Sequence, residues 1–332
     1  MTKIIEIQDI DEAAWEALVK TSSVASWFQT REAYNFFDGL PFLEAFAFGV
    51  ETQGRLKGLV VGCIQKEGGI VKQFLSRRAI ITGGPLLADD IAEEELIALL
   101  EAMKKRLRRK AIYIETRNFN DYGSWKKLYR KQGFIYDPHL DIHVKCNDWN
   151  AVENGIGKHR RRYIRLSLRE GASIIENPSV EEVRTFYSIL DELYKTKVKS
   201  PLFPLMFFER LLLLDSCKYI LVEFDGQIIG GSVCVFLKDR TVYEWFACGK
   251  DGVYKNIHPS SLTKYGGIRF AYDIGCKVFD MMGAGKPNEK YGVRDFKAEF
   301  GGELVEYGRN LFIFNRLLYN VGKLGVKIMK KL

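Results

Sequence analysis

Lys297 stands in "YGVRDFKAEFGG" (291–302), directly after Phe296, three residues before Phe300 and just ahead of Gly301 and Gly302. Read as a helix, the segment puts Val293, Phe296 and Phe300 at i, i+3 and i+7, an apolar stripe that the glycines terminate. Lys297 then falls at the edge of the stripe, where a fixed ammonium can stabilise an oxyanion as it develops. A second cationic element is "KHRRRYIRLSLR" (158–169), with six Lys or Arg in twelve residues and no acid. At helical spacing Arg161, Arg165 and Arg169 line up, with Ile164 and Leu168 beside them facing a core. Guanidinium forks match phosphate oxygens, so this stripe reads as an anion site ahead of a solvated helix face.

Two other segments could do chemistry and are read as structural. "DPHLDIHV" puts His139, Asp141 and His143 on one strand face at period two. Imidazoles with a carboxylate can bind a metal, but a third or fourth ligand is not evident, so a polar strand face and no metal are expected. "ITGGPLLADD" (81–90) reads as a turn and a helix cap, because Asp89, Asp90 and Glu93 to Glu95 would repel a phosphate from its glycines.

The elements that must hold these residues occur twice. "AFGVETQGRLKGLVVGCI" (47–64) and "ILVEFDGQIIGGSVCVFL" (220–237) are both hairpins turning at glycine, and Gly54 laid on Gly226 sets an offset of 172. "EELIALLEAMKKRLRRKAIYIET" (94–116) and "LTKYGGIRFAYDIGCKVFDMMG" (262–283) each run from a helix into a strand. A third pair, 122–144 and 291–314, aligns Gly133 with Gly301 at an offset of 168. Three blocks in nearly one register argue for duplication. The expected fold is therefore α+β, with two tandem domains, each a mixed, mainly antiparallel sheet flanked by helices. The boundary is expected in the Asn- and Gly-containing stretch near 150, giving domains 1–150 and 151–332.

Composition agrees with a protein of this kind. The chain has 332 residues, 47% hydrophobic and 28% charged, with a net charge of +8. No secretory signal and no apolar run of membrane-spanning length is visible, and the six cysteines are scattered without a CxxC pair. A cytoplasmic protein with reduced thiols is expected.

"LYRKQGF" is similar to the helix-then-GF signature of GNAT-type N-acyltransferases. The paired halves resemble the Fem family of peptidoglycan aminoacyltransferases, which carry two GNAT-like domains. "RRYIRLSLREGASIIE" (161–176) resembles that family's Arg-rich helix, and "YEWFACGKDGVYKNIHPSSL" (243–262) its strand and substrate loop, which brings in Trp245 and Tyr254 as substrate contacts. "GCKVFDMMG" followed by "FKAEFGGEL" resembles its Asp-strand and Phe-Lys segment. The resemblance implies transfer of an aminoacyl group from tRNA to an amine of a nucleotide- or lipid-linked cell-wall peptide precursor. It implies that Phe296 offers a stacking face for a base of the tRNA end and that Lys297 handles that end. Asp280, at the end of the preceding strand, is expected to orient the attacking amine or to pair with Lys297. With Gly133 on Gly301, Lys297 takes the place of Tyr129, a position that commonly serves GNAT-type enzymes as an acid.

GNAT enzymes that use acyl-CoA normally carry a Gln/Arg-x-x-Gly-x-Gly/Ala loop, which neither half has, so no cofactor is expected. Two alternatives stand beside this reading. One is an acyl-CoA-dependent N-acyltransferase acting on envelope polysaccharide or lipid precursors. The other is a non-catalytic RNA- or membrane-surface-binding module, supported by the basic helix and by the amphipathic tail "RLLYNVGKLGVKIMKKL", which also suits peripheral membrane contact.

Overall fold

A computed structural model describes residues 2–65 and 77–329. The first half supplies β1 (Thr2–Glu6), β2 (Leu43–Thr52), β3 (Arg55–Gln65), β4 (Arg78–Gly83), β5 (Leu86–Leu87), β6 (Tyr113–Asn118), β7 (Ile135–Asp137) and β8 (Leu140–Lys145). The second supplies β9 (Ser173–Ile175), β10 (Cys217–Phe224), β11 (Gln227–Leu237), β12 (Thr241–Gly249), β13 (Val278–Asp280), β14 (Glu303–Glu306) and β15 (Arg309–Ile313). They form two sheets, ordered β1-β2-β3-β4-β6-β15-β7, with β5 on β3, and β14-β8-β13-β12-β11-β10-β9.

The two sheets follow one plan. β2–β3 turns at Gln53–Gly54 and β10–β11 at Asp225–Gly226, all four residues at positive φ, as a two-residue hairpin loop that matches strand twist requires. Each hairpin carries a bulge near its turn, at Val50/Glu51 and at Val222/Glu223. Antiparallel pairing then gives way to one parallel pair in each sheet, β4–β6 and β12–β13, joined by the helices Glu93–Leu107 and Pro259–Asp273. The expected α+β duplication is what the chain adopts.

The compact units differ from a cut at 150. One comprises Met1–His139 with Tyr307–Leu332, the other Leu140–Glu306. The cause is reciprocal: β8, at the end of the first repeat, pairs with β13 and β14, and β15, at the end of the second, pairs with β6 and β7. Each sheet is thus completed by the last strand of the other repeat.

Each unit has its own core. In the first, Leu96, Leu99, Leu100, Met103 and Leu107 of the helix Glu93–Leu107 pack with Val50, Val60 and Ile81 of the sheet. In the second, Leu262, Ile268 and Ala271 of the helix Pro259–Asp273 pack with Ile220, Val242 and Phe279. That helix lies close to its sheet because of Gly266 and Gly267. A Cβ at Gly266 would stand 2.7 Å from Ile220, and one at Gly267 2.7 Å from Phe279. The close approach brings the helix's polar side chains within reach of the strands. Among the described residues, all six cysteines are free and no helix is long and apolar enough to cross a membrane.

Candidate active site

The site of the second unit lies where its parallel strands part. β12 and β13 hold three partners, Thr241↔Val278, Val242↔Phe279 and Tyr243↔Asp280. Beyond Tyr243, β12 continues along β11 with a bulge at Trp245, whereas β13 ends. The backbone after β13 therefore loses β12 as a partner, although the Met281 and Ala284 amides still donate to the Ile142 and Leu140 carbonyls of β8, and its own carbonyls need other donors.

Lys297 supplies it. The ammonium donates to the carbonyls of Met281 (2.6 Å), Met282 and Gly283 (3.0 Å). Three N–H donors meet three carbonyls. Lys297 is the buried residue of the short helix Gly292–Ala298, so the expected stripe needs correcting. Val293 is 44% exposed and Phe296 only half-buried, whereas Lys297 and Phe300 point inward. The helix turns its lysine toward unpaired carbonyls, a stronger demand than one more apolar contact. Gly301 and Gly302, at φ of 78° and 95°, follow the helix as expected.

Around this ammonium the unit buries more charge than the spacing of residues revealed. Glu244, one residue past the last parallel pair, forms a buried ion pair with Lys264 of the helix Pro259–Asp273. The second Glu244 oxygen, Oε1, is buried without a hydrogen bond among the described residues. Asp280 is fully buried; its Oδ1 accepts from the Met282 amide at 2.6 Å, and its Oδ2 lies 3.3 Å from Nε2 of His143. His143 stands directly across from Asp280, on β8. Burial opposes the charge on His143, but Asp280, Asp141 and Glu303 together raise its pKa. For Lys297, burial and then Lys264 push the pKa down to about 8, against the pull of Glu244, Asp141 and Asp280.

The residues picked from sequence divide accordingly. Asp280 and Lys297 come together. Phe296 carries the guanidinium of Arg160 4.4 Å from its ring centre and meets Phe300 edge-on at 5.3 Å, so part of its surface is covered. Arg160 also reaches Glu299 at 3.0 Å, and it is the arginine of the basic helix Lys158–Arg169 that faces inward. Arg161 donates to the Glu153 carbonyl, Arg165 is exposed, and Arg169 pairs with Glu170 at 3.1 Å. The stripe thus meets a carboxylate at Arg169, from Glu170, one residue past the twelve. Leu168, expected to face a core, is 43% exposed, while Ile164 is buried. Trp245 packs against Phe207 and Phe246 in an aromatic cluster, and Tyr254 packs on Phe224. His143 and Asp141, read as a plain polar strand face, belong to the charged cluster; the signal was the period-two run itself. Among the described residues, no group of three or more His, Cys, Asp or Glu is placed to hold a metal ion.

Residues 157–297 match the model of the acetyltransferase (GNAT) domain. No curated protein sequence matches the chain. Solved structures share its fold at low identity. FemX aligns with a TM-score of 0.73 at 15% identity, covering 96% of this chain and 99% of FemX. L-PGS from Bacillus licheniformis gives 0.60 at 14%, covering 97% of each chain. A tandem GNAT protein from the clavulanic acid biosynthesis pathway gives 0.59 at 8%, covering 95% and 99%. The fold is that of tandem GNAT-type acyltransferases, and the matched residues include Glu244, Lys264, Asp280 and Lys297 of the charged cluster, while Asp141 and His143 precede them.

Proposed function

We propose that the protein transfers an aminoacyl group from tRNA to an amine, with the second unit as the reacting centre and a nucleotide- or lipid-linked cell-wall peptide precursor, met in the cytoplasm, as acceptor. The carrying observation is the buried ammonium of Lys297 at the point where β12 and β13 part. Aminolysis of an ester passes through a tetrahedral oxyanion and expels an alkoxide-like oxygen. A buried fixed cation stabilises both more strongly than one in water. Because its three N–H groups already serve carbonyls, Lys297 acts through its field and by holding residues 281–283 in place. Asp280, braced by His143, orients the attacking amine. Phe296, Trp245 and Tyr254 serve as apolar substrate contacts, and Arg161, Arg165 and Arg169 meet phosphates at the surface.

One further observation favours an ester donor over coenzyme A. The N-terminus of the helix Pro259–Asp273 would attract a diphosphate. Its first turn is already capped by Asp251, whose carboxylate accepts from the Ser260 amide at 3.4 Å and from the Ser260 hydroxyl. A carboxylate there repels the donor that a GNAT enzyme using acyl-CoA would hold.

The test is to incubate purified protein with radiolabelled aminoacyl-tRNAs or with acetyl-CoA, in the presence of cell extract as the source of acceptors. Label leaving tRNA for an amine supports the proposal. Label leaving only acetyl-CoA would replace it with acyl-CoA-dependent N-acylation, and transfer from neither would leave a binding module.

A further inference from the structure

Among the described residues of the first unit, the exposed large apolar side chains are Ile135, Leu317, Val321 and Leu324. Three of these stand on one helix, Arg316–Met329, at i, i+4 and i+7, and so on one face. Leu317 is 73% exposed and Leu324 59%. The helix is held by its other side. Asn315 Oδ1 caps the Leu318 amide at 3.0 Å, and Tyr319 meets Tyr113 edge-on at 5.2 Å. Leu318, Tyr319 and Gly322 are half-buried there. The exposed row is therefore not a fraying end but the outward side of a docked helix.

Charge narrows what can cover it. Residues 316–332 contain five Lys or Arg and no acid, and the last three lie outside the described residues. At about 100° per residue, Arg316 and Lys323 fall on one flank of the apolar row. Lys323 runs its stem toward the Tyr319 ring, with the ammonium 5.7 Å from the ring centre. Gly322 and Gly325 weaken the helix intrinsically, so it relies on contacts made by its faces.

We propose that this helix lies in the headgroup plane of an anionic membrane, with Leu317, Val321 and Leu324 entering the acyl boundary and the flanking basic residues meeting lipid phosphates. The helix rests on the membrane and does not cross it. A nucleic acid would satisfy the charge and leave the apolar row in water. A second copy would cover the row but would bring two basic helices together with no acid on either to pair them. An anionic lipid surface meets both demands. The inference uses residues of the first unit and is independent of the proposed reaction.

The experiment is co-sedimentation of the full chain with vesicles of phosphatidylcholine, with and without phosphatidylglycerol, at low and high salt. Binding should require phosphatidylglycerol and fall with salt. Leu317→Glu with Leu324→Glu should weaken it by about tenfold or more, and Lys323→Glu should weaken it less while flattening the salt dependence. Far-UV circular dichroism checks that the variants remain folded. Absence of vesicle binding by the unaltered protein would overturn the proposal. So would equal binding to neutral vesicles, or a lipid-free dimer in sedimentation velocity that Leu317→Glu dissociates.

Discussion

In the first unit the parallel pair β4–β6 runs through six partners, from Arg78↔Tyr113 to Gly83↔Asn118; in the second, β12–β13 stops after three. The same strand plan is thus closed in one unit and open in the other. Both place an acid on the central strand and a basic residue on the strand borrowed from the other repeat. Glu115 meets Arg309 at 3.0 Å and Arg117 at 2.6 Å, whereas Asp280 meets His143 at 3.3 Å. Burial would raise the Glu115 pKa, yet Arg117 and Arg309 hold it down to about 2. That carboxylate is locked. At the position of Lys297 the first unit has Tyr129, whose buried hydroxyl makes no hydrogen bond among the described residues and whose pKa burial raises. Duplication followed by divergence has left one sheet whose charges are mutually satisfied and one with a labile cation beside a parted strand pair.

The largest effect that would sharpen this contrast is on transfer. Lys297→Met is expected to reduce it by about 100-fold or more, the usual loss for one oxyanion-stabilising group, while Tyr129→Phe leaves it unchanged. Equal losses in the two variants, measured on folded protein, would erase the distinction between the units. Next comes stability. Lys264→Met leaves Glu244 buried without its partner and should cost about 3–5 kcal/mol in urea unfolding, most of it recovered in the double variant with Glu244→Leu. No recovery would mean that the pair is not an isolated balance.

A smaller effect lies at acid pH. The folded pKa of Glu115 is depressed, so its stabilisation is full above the ordinary carboxylate value of 4.5 and is lost as pH falls from there toward about 2. Acid titration of unfolding should show this dependence in the unaltered protein and less of it in Glu115→Gln. The smallest effect belongs to the basic helix. Exchanging Arg165 and Arg169 for Gln should weaken donor or acceptor binding modestly and lower its salt slope. An unchanged slope would reduce the stripe to a solvated face.

The duplication was legible because a hairpin records its own register: Gly54 and Gly226 both sit where positive φ is needed. The exchange of β8 and β15 was not, since a strand's pattern says which face is buried and not which sheet it joins. Lys297 could be picked from its apolar setting, but its orientation could not. Helical periodicity favoured Val293 over a lysine for burial, and the three carbonyls that reverse this lie 14 to 16 residues earlier. For the same reason the spacing of Glu244 and Lys264, 20 residues apart on a strand and a helix, carries no sign of their pairing. On the basic helix a shift of one residue separates the exposed stripe from Arg160, because each step turns the side chain by about 100°.

The rate of transfer as a function of pH tests the central claim on the unaltered protein. With the Lys297 pKa lowered to about 8, the rate should fall above that value as the ammonium is lost. Between about 8 and the ordinary 10.5 the unfolded state binds more protons than the folded state, so Lys297 adds stability as pH rises through that window. A falling rate with no accompanying loss of stability is therefore the predicted result. A rate that holds or keeps rising through that window would show that the Lys297 charge is not what the reaction uses.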